Sequence, residues 1–278
     1  MDARETQPSE SLAGSPWNHH QNPGRWGSVP AMLTDEERRM LYWLARYAFT
    51  GRGAVCDLGA FLGGSTLCLA AGLRDAGWKG ERIHSYDLFE LGPFEQEWFR
   101  THGLEPPPDR KTLGLYRGHV DGYLDLVTVH EGDVRRQHWA GGPIELLFVD
   151  LAKTGRTWDH VLREFFPALT PGVSLVVLQD YLFADSGPWH HVTMEKLSPY
   201  FEYVADTGRN SAVFRYARPV NAETLRRARW AAVPDREKHR MMRAAIARMD
   251  SAEKQEILRS VARRIKVERR RERAARWR

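Results

Sequence analysis

The chain has 278 residues, of which 42% are hydrophobic and 28% charged, so it is long enough to bury one large core. The net charge of +5 arises in the last twenty residues, whose ten Arg or Lys and two Glu carry +8; the rest is therefore at about −3, and the basicity belongs to a tail. No run approaches the roughly eighteen apolar residues of a membrane span, and residues 1–27 contain no apolar signal core, so we expect a cytoplasmic protein.

The N-terminal residues 1–31 predict a flexible arm, because they are rich in Pro, Ser, Gly, Asn and Gln and show little periodicity. Trp17 and Trp26 leave two readings open, a part of the arm that docks on the domain or tryptophans that are simply exposed. Helical order is expected from Thr34, which forms a capping box with Glu37 ahead of apolar residues at helical spacing.

A glycine-rich segment begins at Asp57, after an apolar run and before a helical pattern. Gly59, Gly63 and Gly64 allow the backbone to approach a ligand closely, and the free N–H groups of the following helical turn offer donors. The spacing differs from the dinucleotide motif G-x-G-x-x-G, which requires a glycine at Phe61. The segment predicts a strand, a turn and a helix N-terminus that hold a nucleotide-like ligand, or else only the tight turn that any doubly wound domain needs.

From residue 53 onward, short apolar runs alternate with helical patterns, which predicts βαβ units and a parallel sheet covered on both faces. Cys56 and Cys68 fall in the first strand and helix and are expected to be buried apolar residues, not a disulfide or a metal pair. The predicted strands are 54–58, 82–87, 126–131, 144–150, 173–180, 200–205 and 212–216, and the predicted helices include 65–76, 158–169, 221–249 and 251–267.

Acidic residues follow the predicted strands at one edge of the sheet, where ligands of open α/β sheets bind. Asp57, Asp87, Asp150 and Asp180 end four of these strands, and Asp133 follows the third. Asp87 lies thirty residues after Asp57, at a position from which a carboxylate can accept hydrogen bonds from both ribose hydroxyls.

The acid-x-Gly-x-x-x-Gly run, with Asp87 and Asp133, resembles the first motifs of class I S-adenosylmethionine-dependent methyltransferases, particularly the sugar and macrolide O-methyltransferase branch, over about residues 53 to 217. The resemblance implies a doubly wound, mostly parallel, seven-stranded Rossmann-like sheet in a domain at 32–218, followed by a basic helical C-terminal extension at 219–278. It also implies S-adenosylmethionine as cofactor, with Asp133 facing the adenine amino group and the cofactor held by Asp57, Gly59, Phe61, Gly63, Gly64, Ser65, Asp87, Leu88 and Asp133.

In that branch an acid after the fourth strand and an acidic pair after the fifth bind Mg²⁺, with a His or Asp nearby as base. This chain has Gln179 in place of one acid and neither usual base residue, so Asp150 and Asp180, the only metal candidates, would bind Mg²⁺ weakly. The candidates for catalysis are Asp150, Lys153, Asp180 and His190, with His191 beside it. Lys153 is alternatively a structural ion-pair partner, and each histidine alternatively has a packing role.

We therefore predict O-methylation of a hydroxyl on a sugar, glycan or other small metabolite. Residues 88–125 form an insertion with several aromatic residues, predicted as a lid or acceptor-binding loop or as a satellite hydrophobic cluster. Two alternatives stay open: an RNA methyltransferase that uses the basic tail, disfavoured because no Asn-Pro-Pro-Tyr-like motif is present, and a non-catalytic cofactor-binding scaffold, suggested by Lys153 and Gln179. The C-terminal helices either form a homodimer interface or pack on the core.

Overall fold

A computed structural model describes residues 12–20, 25–268 and 270 of the chain. Its strands are β1 (Ala54–Leu58), β2 (Ile83–Asp87), β3 (Val127–Glu131), β4 (Ile144–Val149), β5 (Leu175–Leu178), β6 (Phe201–Asp206) and β7 (Ala212–Tyr216). Its α-helices are α1 (Asp35–Trp43), α2 (Gly64–Asp75), α3 (Pro93–Thr101), α4 (Leu113–His119), α5 (Gly155–Glu164), α6 (Trp189–Lys196), α7 (Ala222–Ala228), α8 (Asp235–Arg248) and α9 (Ala252–Arg263).

The seven strands form one sheet in the order β3-β2-β1-β4-β5-β7-β6. Strand β7 runs antiparallel to both of its neighbours, and the other pairs are parallel. The predicted doubly wound, mostly parallel sheet and its helical C-terminal extension are confirmed. The strand order reverses between β1 and β4, so a crevice opens beyond the carboxyl ends of these two strands, where such sheets bind ligands.

Two hydrophobic cores cover the two faces of the sheet. One contains side chains of α1, α2 and the N-terminal segment, and the other contains side chains of α5, α6 and the C-terminal helices. Strand β4 lies between them and is buried along its whole length, which matches its continuous apolar sequence. Cys56 and Cys68 are both buried and unpaired, one in each core, as the sequence predicts.

The described parts of the N-terminal arm pack on α1. Trp17 is fully buried with its ring edge-on to Trp43, and Trp26 stacks on Tyr42 with ring centroids 5.4 Å apart. Arg38 holds the segment in place, because its guanidinium donates to the carbonyl oxygens of Trp26 at 2.6 Å and of Val29 at 2.8 Å. Of the two readings of these tryptophans, docking is the one that the structure shows; residues 1–11 and 21–24 of the arm lie outside the described residues.

Two predicted helices have wrong boundaries, and proline explains both. The predicted helix 158–169 begins earlier, at Gly155, and ends at Glu164, ahead of a 3₁₀ turn at Phe166–Ala168 that contains Pro167. The predicted helix 221–249 is divided into α7 and α8 by a 3₁₀ turn at Trp230–Ala232 and by Pro234, which has no N–H to continue a helix.

Candidate active site

The glycine turn joins β1 to α2 and has left-handed backbone at Gly59 (φ 109°) and Gly63 (φ 94°). A Cβ at Gly59 would lie 2.9 Å from the backbone nitrogen of Leu151, and one at Gly63 would lie 3.0 Å from a methyl carbon of Val120. Both glycines are therefore required by the fold itself, before any ligand is considered.

Asp57 is fully buried beneath this turn. Its Oδ2 accepts hydrogen bonds from the hydroxyls of Ser65 at 3.0 Å and Thr66 at 2.5 Å, which fixes the first turn of α2, and its Oδ1 has no partner. Burial raises the pKa of Asp57 to about 6, although the two hydroxyls act in the opposite direction. Asp57 positions the turn from below and does not line the cavity described next.

A cavity of about 1000 Å³ opens at the carboxyl ends of the central strands. Its volume and largely apolar wall suit a nucleoside-sized ligand together with a second molecule. The wall contains most of the sequence-predicted site residues: Gly59, Phe61, Gly64, Ser65, Asp87, Leu88, Asp133, Asp150, Lys153 and Asp180. Asp57, Gly63 and His190 are the predicted site residues that do not line it.

Asp87 ends β2 at the edge of this cavity. Its Oδ2 accepts from the backbone N–H of Phe61 at 2.9 Å and its Oδ1 from that of Phe89 at 2.7 Å, so the carboxylate is fixed in orientation. Each oxygen has a second lone pair available, and a ribose diol is a suitable donor for both. Burial raises the pKa of Asp87, while these backbone hydrogen bonds counteract the effect.

Asp133 also lies at the cavity wall, but its carboxylate is already engaged. The guanidinium of Arg135 contacts both oxygens, with the shortest distance 2.6 Å, and this hydrogen bonding lowers the pKa of Asp133 to about 2. Asp133 is consequently an ionised acceptor over the whole physiological range, and Arg135 adds a cation to the wall.

Beside the glycine turn lies a cluster that we call the lysine cluster, formed by Asp150, Lys153 and Asp180. The Nζ of Lys153 lies 2.6 Å from Asp150 Oδ1, 2.6 Å from Asp180 Oδ2 and 3.2 Å from Gln179 Oε1. Asp150 directly follows β4 and Asp180 follows β5, so two adjacent strands place the two carboxylates side by side. Lys153 lies in the turn between β4 and α5. Asp180 has φ 63°, a left-handed conformation that costs about 1–3 kcal/mol and turns the chain sharply after β5.

The pKa shifts in the lysine cluster place a cation, Lys153, beside a carboxylate of raised basicity, Asp150. Burial raises the pKa of Asp150 to about 7, with Lys153 opposing and Asp180 adding to the shift. Burial alone would lower the pKa of Lys153, but the two carboxylates outweigh it and raise the pKa above its ordinary value. Lys153 is therefore a permanent cation in the wall of the cavity.

The residues present do not fit a divalent cation. Mg²⁺ requires oxygen ligands around an octahedral position, and here only two carboxylates and one amide oxygen converge, on a point that the ammonium of Lys153 occupies. Among the residues that the structure describes, no group of three or more His, Cys, Asp or Glu is placed to hold a metal ion.

His190, a predicted catalytic candidate, is separated from the large cavity. It is 4% exposed, its ring is edge-on to Trp158 at 4.5 Å, and it faces a smaller cavity behind the lysine cluster. His191 is fully buried with its Nε2 2.7 Å from the carbonyl oxygen of Tyr181, which is a packing position.

Some residues of the site were predicted only as part of the aromatic insertion at 88–125, and others carry no signal in the sequence. Phe94 and Trp98 of α3 and the segment Ala31–Leu33 line the large cavity, and Arg264, which follows α9, lines the smaller one. The aromatic insertion at 88–125 also contributes side chains to a small hydrophobic cluster around Leu62 and Phe99. Arg264 and the segment at 31–33 could not be found from spacing, because they reach the site only through tertiary packing.

Comparison with known proteins gives a family match for part of the chain and solved structures of similar fold. Residues 56–181 match the model of a methyltransferase domain family. Similar solved structures include the O-methyltransferase NovP (13% identity, 68% of this chain and 82% of that chain covered, TM-score 0.52) and apo CalS11, a TDP-rhamnose 3'-O-methyltransferase (19%, 66% and 78%, TM-score 0.45). Cofactor-bound Rv0187 from MTB is also similar (16%, 77% and 94%, TM-score 0.42). Because the sequence identities are this low, the similarity to these solved structures shows only that the fold is shared.

No curated protein matches the chain. Within residues 12–20, 25–268 and 270, no helix combines the length and the apolar character that crossing a bilayer requires.

Proposed function

We propose that this chain is a class I S-adenosylmethionine-dependent methyltransferase that methylates a hydroxyl group of a sugar, glycan or other small metabolite. The match of residues 56–181 to a methyltransferase domain family and the doubly wound sheet support this proposal. The observation that carries the proposal is the lysine cluster, which places a basic carboxylate and a fixed cation in the wall of the same cavity as the glycine turn. A hydroxyl acceptor uses both groups. The carboxylate accepts its proton, and the cation stabilises the negative charge that develops on its oxygen.

We assign the cofactor to the half of the cavity between the glycine turn and β2. Asp87 would receive the ribose hydroxyls, Leu88 and Phe61 would cover apolar parts of the nucleoside, and the N-terminus of α2 at Gly64 and Ser65 would meet the amino-acid end. Replacing Asp87 with Asn should weaken binding of S-adenosylhomocysteine by roughly tenfold or more, because a charged acceptor is lost. Isothermal titration measures this, with the exposed Asp125→Asn variant as control; equal affinity of the two variants would contradict the assignment.

S-adenosylmethionine supplies an electrophilic methyl group on sulfur. The bound cofactor would supply the methyl group and leave as S-adenosylhomocysteine, and the proton of the acceptor hydroxyl would pass to a carboxylate of the lysine cluster. Asp150 is suited to receive it, because its pKa of about 7 matches neutral pH. The ammonium of Lys153, held beside Asp150, would stabilise the negative charge that develops on the acceptor oxygen.

The RNA alternative receives little support from the described part of the basic segment. Arg259 and Arg263 share Glu256, and Arg264 pairs with Asp185, so two of these three positive charges are balanced by carboxylates of the chain itself. Residues 269 and 271–278 of the tail lie outside the described residues. A steep salt dependence of methyl transfer to RNA would revive this alternative.

The proposal is tested with S-adenosylmethionine labelled in its methyl group. The protein is incubated with a panel of glycosides, polyols and phenols and with an extract of its own cells, and labelled products are identified by mass spectrometry. The expected product carries the label on oxygen. Label on nitrogen, carbon or RNA would overturn the assignment to hydroxyls, and cofactor binding without any transfer would favour the scaffold alternative.

A further inference from the structure

The wall of the large cavity contains more negative than positive side chains. Six carboxylates line it, but only two cations, Arg135 and Lys153. Four of the carboxylates lie within ion-pair distance of a cation: Glu90 with Arg110 and Lys111, Asp133 with Arg135, and Asp150 and Asp180 with Lys153. The other two, Asp87 and Glu95, have no cationic partner among the residues that the structure describes. A cavity with such a wall attracts a positively charged ligand.

Glu95 is the less constrained of these two carboxylates. Asp87 accepts two backbone N–H groups, whereas Glu95, half-buried in the first turn of α3, has neither a hydrogen bond nor an ion pair within the described parts of the chain. Gly92 leaves room for it, because a Cβ at Gly92 would lie 2.8 Å from Oε2 of Glu95, although the extended backbone there (φ −76°, ψ 179°) does not itself require glycine. The carboxylate of Glu95 is therefore available to a ligand in the cavity.

Helix α3 presents Glu95 to the half of the cavity that we assign to the cofactor. Glu95 and Trp98 are three residues apart, so they lie on one face of the helix, and both line the wall. The ring of Trp98 is edge-on to that of Phe61 in the glycine turn, with centroids 5.4 Å apart. Burial raises the pKa of Asp87 and the negative charge of Glu95 adds to the shift, so the two carboxylates share one electrostatic environment.

The cofactor and its product differ by one positive charge at neutral pH. S-adenosylmethionine has a sulfonium, an ammonium and a carboxylate, and it is a net cation, whereas the sulfur of S-adenosylhomocysteine is a neutral thioether and this product has no net charge. A carboxylate near the cofactor consequently attracts the first molecule and not the second.

We propose that Glu95 is a specificity-determining residue by which the site distinguishes S-adenosylmethionine from S-adenosylhomocysteine. Its carboxylate favours binding of the charged cofactor and, once the charge has left with the methyl group, release of the neutral product. The inference rests on the proposed methyl transfer and adds to it a residue that sets the relative affinities for cofactor and product.

The test uses three ligands that share their adenosine and amino-acid ends: S-adenosylmethionine, S-adenosylhomocysteine and sinefungin, in which an amine-bearing carbon replaces the sulfonium. Isothermal titration with the full chain gives the Kd of each. In Glu95→Gln, the ratio of the Kd of S-adenosylhomocysteine to that of sinefungin should fall by about fivefold, the size expected for one partly screened charge at close range. The corresponding ratio for S-adenosylmethionine should fall likewise. Added NaCl should lower the wild-type ratio and have little effect on that of the variant.

Glu97→Gln is the matched control. It removes one carboxylate from the same helix, but Glu97 does not line the cavity and pairs with Arg100 at 3.1 Å, so the ratio should equal that of the wild type. Glu95→Asp keeps the charge and should keep most of the ratio. Because the helix dipole favours an acid in the first turn, Glu95→Gln should also melt at a slightly lower temperature. A purely structural role would stop at that change, since both ligands bind the same folded state.

An unchanged ratio in Glu95→Gln, or an equal fall in Glu97→Gln, would overturn the role of Glu95. This failure is distinguishable from failure of the proposed function. Binding of all three ligands with an unchanged ratio in Glu95→Gln would remove the role of Glu95 alone, and a wild type that binds none of them would remove both proposals. A ratio that depends on Glu95, without labelled transfer to any hydroxyl, would remove hydroxyl methylation and leave the role of Glu95.

Discussion

At the scale of single residues, Lys153 is the most consequential difference between this chain and the sugar and macrolide O-methyltransferases that it resembles. Its ammonium bridges Asp150 and Asp180 at 2.6 Å from each, the position in which two carboxylates would otherwise hold a metal ion. A lysine provides one positive charge and three donors without any requirement for metal, and its permanent charge can stabilise an alkoxide. The two readings of Lys153, ion pair and catalysis, are therefore compatible.

Replacing Lys153 with Ala should lower kcat by roughly a hundredfold or more, because transition-state stabilisation by the cation is lost. The variant should also bind one Mn²⁺ per chain, because removal of the ammonium frees Asp150, Asp180 and the amide oxygen of Gln179 as ligands. Electron paramagnetic resonance of free Mn²⁺ measures the binding. Lys196→Ala, which breaks a single ion pair with Glu237, is the control and should gain no metal site. Mn²⁺ binding by the wild type with equal affinity would refute this view of Lys153.

The pH dependence of turnover should report Asp150. Because burial raises its pKa to about 7, the carboxylate is ionised above that pH and protonated below it, so kcat should fall as the pH decreases through about 7. The measurement is kcat with saturating substrates from about pH 5.5 to 9. The acidic limb should disappear in Asp150→Asn, together with most of the activity. A flat profile across this range in the wild type would exclude Asp150 as the base.

At the scale of elements, the turn between β1 and α2 is fixed by packing. Gly59 and Gly77 both have positive φ, at 109° and 83°, but only Gly59 has protein atoms where a Cβ would lie. Gly77→Ala should cost about 1–2 kcal/mol from backbone conformation alone. Gly59→Ala should cost about 3 kcal/mol or more, because the new Cβ also meets the backbone of Leu151. Chemical denaturation compares the two, and equal losses would mean that the chain relaxes around Gly59.

Periodicity in the sequence predicted which helices and strands are present, and it predicted their ends less accurately. Runs such as β4 are apolar throughout because both faces of a parallel sheet are covered, and that pattern is visible in the sequence. Pro234 separates α7 from α8, and a tertiary contact that periodicity does not report stabilises the turn ahead of it. The carboxylate of Asp159, in α5, accepts the backbone N–H groups of Trp230 at 2.5 Å and Ala231 at 3.0 Å, which stabilises the turn between the two helices.

At the scale of the whole molecule, the C-terminal helices are part of the domain's second core. Trp230, Met242 and Leu258 are buried in the same cluster as Trp158 of α5 and Leu197, which follows α6. Of the two placements considered for these helices, packing on the core is what the structure shows. Arg264 forms an ion pair with Asp185 in the wall of the smaller cavity, so the extension contributes to that wall as well as to stability.

A chain that ends at residue 218 should not fold cooperatively. Each large buried side chain that it loses contributes about 1.5–3 kcal/mol, and several such losses match the total stability of a typical domain, about 5–15 kcal/mol. Near-ultraviolet circular dichroism and thermal melting test this, with Trp230→Ala as an intermediate case that should cost about 3–5 kcal/mol. A truncated chain with an unchanged melting transition would show that the extension is an independent unit.

The sequence by itself determined the architecture and the edge at which the site lies. Alternating apolar patterns specify βαβ units, and the acids that follow the strands must lie at the carboxyl edge of a parallel sheet because all parallel strands end there. Tertiary structure decided what those acids do. Asp57 lies under the turn and Asp133 is paired with Arg135, whereas Asp150 and Asp180 close on Lys153 and His190 faces a separate cavity. Such distinctions depend on burial and on how the side chains pack against one another, and neither is encoded in local spacing.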